Sequence, residues 1–280
     1  MDDPSLLPSA LHKREVALAR LRGLGSALVA YSGGVDSALL LALAREALGD
    51  RAVAFTALSP AVAPDELENA RAVAKLLGAR HIEKRSLELD DPHYAANPTN
   101  RCYFCKTELY TLAVAEAKEA GLAAVVSGTN ADELGDYRPG LLAAGEHQIV
   151  QPLAEAGLTK SEIRALSREA GLPTWDKPQQ PCLSSRIPYG TAVTRERLDQ
   201  LAQSEMALRK LGLREFRVRY HGDVARIEVG EGELERLLAL RVQVDRALKA
   251  AGFKFVSLDL EPFRSGRLNE AAGLVPLRHA

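Results

Sequence analysis

The stretch Ala30-Tyr31-Ser32-Gly33-Gly34-Val35-Asp36-Ser37 lies between a short apolar run, residues 27–31, and an Ala/Leu-rich segment of helical composition, residues 37–48. Where a strand passes through a glycine turn into a helix, backbone N–H groups and the positive end of the helix dipole converge on an anion. Gly33 and Gly34 allow the sharp turn, and the hydroxyls of Ser32 and Ser37 can donate to phosphate oxygens. Asp36 can hold a divalent metal on those phosphates. It stands where a Walker loop carries lysine, which argues against γ-phosphate transfer.

Outward from this loop the alternation continues. A helix over residues 11–24 precedes the first strand. Apolar strands follow at 52–58, 81–87 and 123–127, separated by helices at 65–77 and 107–120. Near-continuous apolar strands alternating with helices predict an α/β fold, a doubly wound parallel sheet covered on both faces. Residues 130–189 are loop-rich around one helix, 160–171. From near Thr191 a polar helix runs to Leu211, then strands 216–220 and 224–229 form a hairpin about His221-Gly222-Asp223. A helix at 231–251 and a strand at 253–260 complete a smaller α+β domain. The predicted division is therefore residues 1–190 and 191–280.

Composition narrows the function. The 280 residues carry 36 Lys+Arg against 37 Asp+Glu, a net charge of −1, without the basic excess of a nucleic-acid binder. Fourteen aromatic residues offer few platforms for stacking on single strands. No apolar run reaches the ~18–20 residues of a membrane span, and the acidic N-terminus does not read as a secretory signal. With only three cysteines, a cytoplasmic protein without nucleic-acid or membrane partners is expected.

Those cysteines are Cys102 and Cys105, in Asn97-Pro98-Thr99-Asn100-Arg101-Cys102-Tyr103-Phe104-Cys105-Lys106, and the distant Cys182, in Pro181-Cys182-Leu183-Ser184-Ser185-Arg186-Ile187-Pro188-Tyr189-Gly190. Cys-x-x-Cys suits a redox pair, half a zinc site or part of an iron–sulfur site. A structural zinc wants four protein ligands, and His93 is the nearest histidine in sequence to join the thiols. A cubane held by three thiolates would leave one iron open. Burial as small hydrophobes is the plain alternative.

The Ser32–Ser37 letters resemble the pyrophosphate loop of the ATP pyrophosphatase (PP-loop, HUP-like) superfamily, whose members cleave ATP between the α and β phosphates. That resemblance implies ATP at Ser32, Gly33, Gly34, Asp36 and Ser37, bordered by Gly128 and Thr129. It also implies magnesium on Asp36 together with Glu133, or else Asp132. More specifically, SGGVDS, NPxxRCYxCK, GTNxDExxDYRPG and CLSSRIPYG together are similar to the LarE family of ATP-dependent sulfur transferases, over most of the chain. The likeness implies a pyridinium-3,5-biscarboxylic acid mononucleotide substrate, whose carboxylates become thiocarboxylates of the nickel-pincer cofactor. Cys182 matches the family's sulfur-bearing cysteine, with Lys106 and Arg186 expected to assist and Arg186 or Lys177 to lower its thiol pKa. Arg138, Arg217, Arg219 and Glu228 are the implied substrate contacts, since a guanidinium fork matches phosphate and carboxylate alike. The family is homo-oligomeric.

Sulfur has two routes. Cys182 can give up its own sulfur and become dehydroalanine, or Cys102, Cys105 and Cys182 can hold a [4Fe–4S] cluster that delivers sulfide. Only the second uses all three cysteines. The alternatives are a tRNA thiolase, an amidotransferase-type ligase (although no glutaminase Cys/His pattern is seen), or a nucleotide-binding module with a zinc staple. Trp175 is expected to pack, and His12, His81, His147 and His279 read as surface residues.

Overall fold

The computed structural model describes residues 6–134, 139–178, 180–264 and 267–274. In chain order the elements are α1 (Leu6–Leu24), β1 (Ala27–Ala30), α2 (Val35–Leu48), β2 (Ala52–Leu58), α3 (Pro64–Leu76), β3 (Arg80–Arg85), α4 (Pro92–Ala95), α5 (Arg101–Glu119) and β4 (Ala124–Ser127). Then come α6 (Pro139–Glu146), α7 (Pro152–Glu155), α8 (Lys160–Glu169), α9 (Arg195–Lys210), β5 (Phe216–His221), β6 (Val224–Val229), α10 (Leu234–Ala239), α11 (Arg241–Ala250), β7 (Phe255–Leu258) and α12 (Arg267–Ala271).

The contacts divide the chain into two compact units. The first holds residues 1–59, 66–88 and 102–180; the second holds 60–65, 89–101 and 181–280.

In the first unit a parallel sheet runs in the order β3-β2-β1-β4. Alternate residues of the central strands face opposite layers. Ala27 and Val29 of β1, with Ala52 and Ala54 of β2, pack in one core with α1, α2, α3 and α8 residues. Leu28, Phe55 and Val125 pack on the other side with Tyr110, Ala113 and Ala117 of α5 and Ala143 and Ala144 of α6. Both faces are covered, which is why these strands read as unbroken apolar runs. The chain steps from β1 to β2 on one side and later returns to β4 on the other. The crevice of such a sheet opens at that reversal, between the carboxyl ends of β1 and β4.

The second unit has a sheet in the order β5-β6-β7, with α9 on β5 and α11 on β7. The β5–β6 hairpin turns through Gly222-Asp223, with Gly222 at φ +64°, a backbone that suits a two-residue hairpin loop. Two expectations need correction. The helix placed at 107–120 begins at Arg101, so Cys102 and Cys105 lie in its first turn. The helix placed at 231–251 is broken at Leu240 into α10 and α11.

Candidate active site

The Ser32–Ser37 loop leaves the end of β1 and enters α2, whose N-cap Gly34 offers no side-chain cap to the first turn. Its hydroxyls close on one another instead. Ser32 N–H donates to Ser37 Oγ (3.2 Å), Ser37 Oγ donates to the Gly34 carbonyl (3.1 Å), and the two Oγ atoms are 3.1 Å apart. Gly33 sits at φ +73°, where a Cβ would lie 2.6 Å from Ala70 Cβ. A Cβ on Gly128, after β4, would lie 3.0 Å from Ser37 N, so the two loops touch backbone to backbone. Thr129 is buried with its hydroxyl 3.2 Å from that of Ser127.

Asp36 is held from two sides. Asn130 Nδ2 donates to Oδ1 at 3.2 Å, and Lys160 Nζ donates to Oδ2 in a tight ion pair. Asn130 is 2% exposed, and its Oδ1 has no partner among the described residues. Asp36 and that orphaned oxygen are hard donors of the kind magnesium takes, so the residues present fit the ion. Asp132 accepts from Lys160 N–H at 2.8 Å, which fixes the start of α8. Glu133 is half-buried, and its charge acts on Lys106. Lys160 was not singled out from sequence. Only the Thr159–Glu162 capping box that starts α8 was readable there.

Cys102 and Cys105, neither of them in a disulfide, stand at positions i and i+3 of α5 and share a face. Lys106 follows them. Tyr110, whose ring centroid is 5.7 Å from its Nζ, and then Cys105, Cys102 and Glu133 hold its pKa above the ordinary lysine value against the opposing effect of desolvation. A Cβ on Gly140 would lie 2.9 Å from Lys106 Cγ, so the start of α6 lies directly on this turn. Arg138 lies outside the described residues, as does His279. Among the described residues neither unit by itself gathers three or more His, Cys, Asp or Glu side chains around a metal position.

In the second unit, half-buried Cys182 precedes a turn of 3-10 helix, Leu183–Arg186. Arg186 is 2% exposed. Its Nε and Nη2 bind Glu205 (2.8 and 3.0 Å), and its Nη1 donates to the carbonyls of Pro181 and Cys182. Every edge of its fork is thus engaged by Glu205 and by the turn around Cys182. Lys177, in the first unit, pairs with Glu66 and donates to the Gly33 carbonyl. Asn97, at φ +57°, donates to the carbonyls of Ile187, Pro188 and Thr191 and accepts from Arg101, which also reaches the Ser184 carbonyl. His93 is exposed on α4.

One face of β5–β6 is apolar (Phe216, Val218, Ala225, Ile227), and the other carries Arg217, Arg219, Arg226 and Glu228. Arg219 binds Glu228 through Nε (2.9 Å) and Nη2 (2.6 Å). Arg217 packs over Phe263, and burial, then the nearby Arg186 charge, lowers its pKa to about 10. Beside this face lies a cavity of about 280 Å³ lined by Arg186, Arg219, Arg226, Arg264, Arg267 and the glutamates 228, 261 and 270. Arg217 does not line it. Arg226, Arg264 and Arg267 were missed because their convergence depends on tertiary folding.

His81 also corrects its surface assignment. Its Nε2 is 2.8 Å from Thr56 Oγ1, and its ring stands edge-on to Tyr31. His147 is half-buried against Tyr110, and His12 is exposed. Trp175 is half-buried with Arg168 over its ring.

The asparagine synthase family model matches residues 15–226. Protein slr1717 of Synechocystis sp., named as uncharacterized, is 45% identical over 248 residues, covering 88% of this chain and 92% of its own. Pyridinium-3,5-bisthiocarboxylic acid mononucleotide synthase of Lactiplantibacillus plantarum is 38% identical over 260 residues, 92% of this chain and 94% of its own. The uncharacterized MJ0830 of Methanocaldococcus jannaschii is 29% identical over 238 residues, 85% and 90% of the two chains. Likeness of that extent, centred on an anion loop at the sheet's reversal point, makes this chain a member of the LarE family of ATP-using sulfur transferases within the PP-loop superfamily.

Proposed function

We propose that the enzyme adenylates the carboxylates of pyridinium-3,5-biscarboxylic acid mononucleotide and replaces the activated oxygen with sulfur. The relative in Lactiplantibacillus plantarum, named for the bisthiocarboxylic product and matched over 92% of this chain, carries this reading. The arginine-lined cavity of the second unit supports it, since guanidinium groups suit a ligand bearing phosphate and carboxylates. Arg219 and Glu228 line that cavity; Arg138 and Arg217 are retained as proposed substrate contacts.

A carboxylate cannot be thiolated directly because its oxygen is too poor a leaving group. A substrate carboxylate oxygen attacks the α-phosphorus of ATP, the bond to the bridging oxygen breaks, and pyrophosphate departs into the Ser32–Ser37 loop. There the N–H groups of Gly33 and Gly34, the two serine hydroxyls and the start of α2 receive it, with Gly128 and Thr129 alongside. Asp36, with Glu133, would hold magnesium, which supplies positive charge to the departing phosphates. Lys160, ion-paired with Asp36, would keep its own positive charge beside the loop with the ion bound.

Sulfur then attacks the acyl carbon, and AMP leaves. Cys102, Cys105 and Cys182 would hold a [4Fe–4S] cluster, whose chemistry is to supply sulfide at an open iron. Thiolate donors fit such a cluster, and Lys106 stands beside two of them. Arg186 serves by fixing the carbonyls of Pro181 and Cys182. The competing route breaks the Cβ–S bond of Cys182 after thioester formation and leaves dehydroalanine. We place the enzyme in the cytoplasm as a homo-oligomer without nucleic-acid partners.

Anaerobic isolation with iron and sulfide assays, followed by intact mass after turnover, tests the sulfur source. Iron, sulfide and an unchanged mass are expected; loss of H₂S from the polypeptide selects sacrifice. Cys182→Ala is expected to abolish thiolation while ATP binding survives, and retained thiolation would overturn the assignment. Asp36→Ala is expected to stop pyrophosphate release.

A further inference from the structure

We propose that Lys177 is a positioning residue for the phosphate loop, acting through the Gly33 carbonyl rather than on phosphate itself. This rests on reading that loop as the pyrophosphate cradle. Lys177 Nζ lies 2.7 Å from Glu66 Oε2 and donates to the Gly33 carbonyl at 3.2 Å. The two side chains are only 16% and 17% exposed. Glu66 stands on α3 one turn before Ala70, the residue against which Gly33 packs. The Ala70 carbonyl in turn accepts from the Tyr31 hydroxyl at 3.0 Å. The loop is therefore strapped to α3 at Tyr31, at Gly33 and, through Lys177, at the Gly33 carbonyl.

A peptide group is planar, so fixing the Gly33 carbonyl fixes the Gly34 N–H on its opposite side. That N–H reaches Ser32 Oγ at 3.4 Å, a long bond that a phosphate oxygen can replace. The ammonium also covers the carbonyl oxygen, the end of the peptide dipole that repels phosphate. Glu66 balances the ammonium, so Lys177 supplies orientation more than net charge. From sequence it was a candidate only for acidifying Cys182.

The test is calorimetric titration of the full chain with inorganic pyrophosphate and with ATP, magnesium present, alongside thermal melting. Lys177→Met is expected to weaken both ligands about tenfold, the loss of one charge-assisted hydrogen bond, at a temperature well below its melting transition. Lys177→Arg restores most of the affinity, and Glu66→Gln falls between. Wild-type affinity in Lys177→Met overturns the inference, as does Lys177→Arg binding as weakly as Lys177→Met. Affinity that falls only in step with melting temperature across the series also overturns it. Should Lys177→Met not fold, undiminished affinity in Glu66→Gln decides against the inference. If the wild-type chain binds neither pyrophosphate nor ATP, the cradle assignment itself fails, and the two failures are thereby told apart.

Discussion

Glu205 keeps its charge in the interior of the second unit, and Arg186, at 2.8 and 3.0 Å, does most to make that tolerable, with Arg209 at 3.5 Å. Burial pushes its pKa up, but the charge and hydrogen bonds of Arg186, the Val218 N–H and Arg217 outweigh burial and hold the carboxyl below its ordinary 4.5. A buried ion left without its partner is costly, so Arg186→Met is expected to destabilise by about 3–5 kcal/mol, measured by urea unfolding. The pH dependence has a defined sign. A carboxyl depressed in the folded state contributes fully above the unfolded value near 4.5 and loses that contribution as pH falls through its folded pKa. Urea midpoints of Glu205→Gln should therefore fall less steeply in acid than those of the wild type, from a lower plateau. Asn97 is a second such residue. Asn97→Ala removes three donated hydrogen bonds and leaves alanine at φ +57°, for an expected loss of about 2–4 kcal/mol.

Between elements the decisive contact is backbone on backbone. A Cβ on Gly128 would press on Ser37 N and on Cα of the same residue at 3.1 Å, prying the β4 loop from the start of α2. Gly128→Ala is expected to cost about 1–3 kcal/mol, appearing as weaker ATP binding in titration. This scale also separates what the sequence reveals from what it hides. The strands and their two loops were legible because apolar runs and glycines act locally. The start of α5 was not, since Asn97, Pro98 and Asn100 read as a loop although Arg101 is already helical. Alternation along β5 put Arg217 and Arg219 on one face, but the role of Arg186 depends on Glu205, 19 residues away. Lys160 meets Asp36 across 124 residues of chain, a distance no local pattern spans.

Across the whole molecule the two units are interleaved, with five crossings between them. The second unit borrows two early pieces. Ala61 accepts from Leu183 N–H, Asn97 accepts from Gly190 N–H, and Arg209 pairs with Asp65. A chain begun at residue 191 loses these partners and the Arg186 that balances Glu205. It is expected to show no cooperative thermal transition, checked by circular dichroism.

Interleaving also orders events at the ribosome. Residues 89–101 emerge before the 79 residues of segment 102–180, so at roughly 5–20 residues per second they wait about 4–16 s for their partners. Tyr94, sealed in the finished protein, meets Ser184 only after that delay. The nascent polypeptide thus carries a sticky aromatic while roughly a third of the chain is made, and holdase chaperones have their opportunity there.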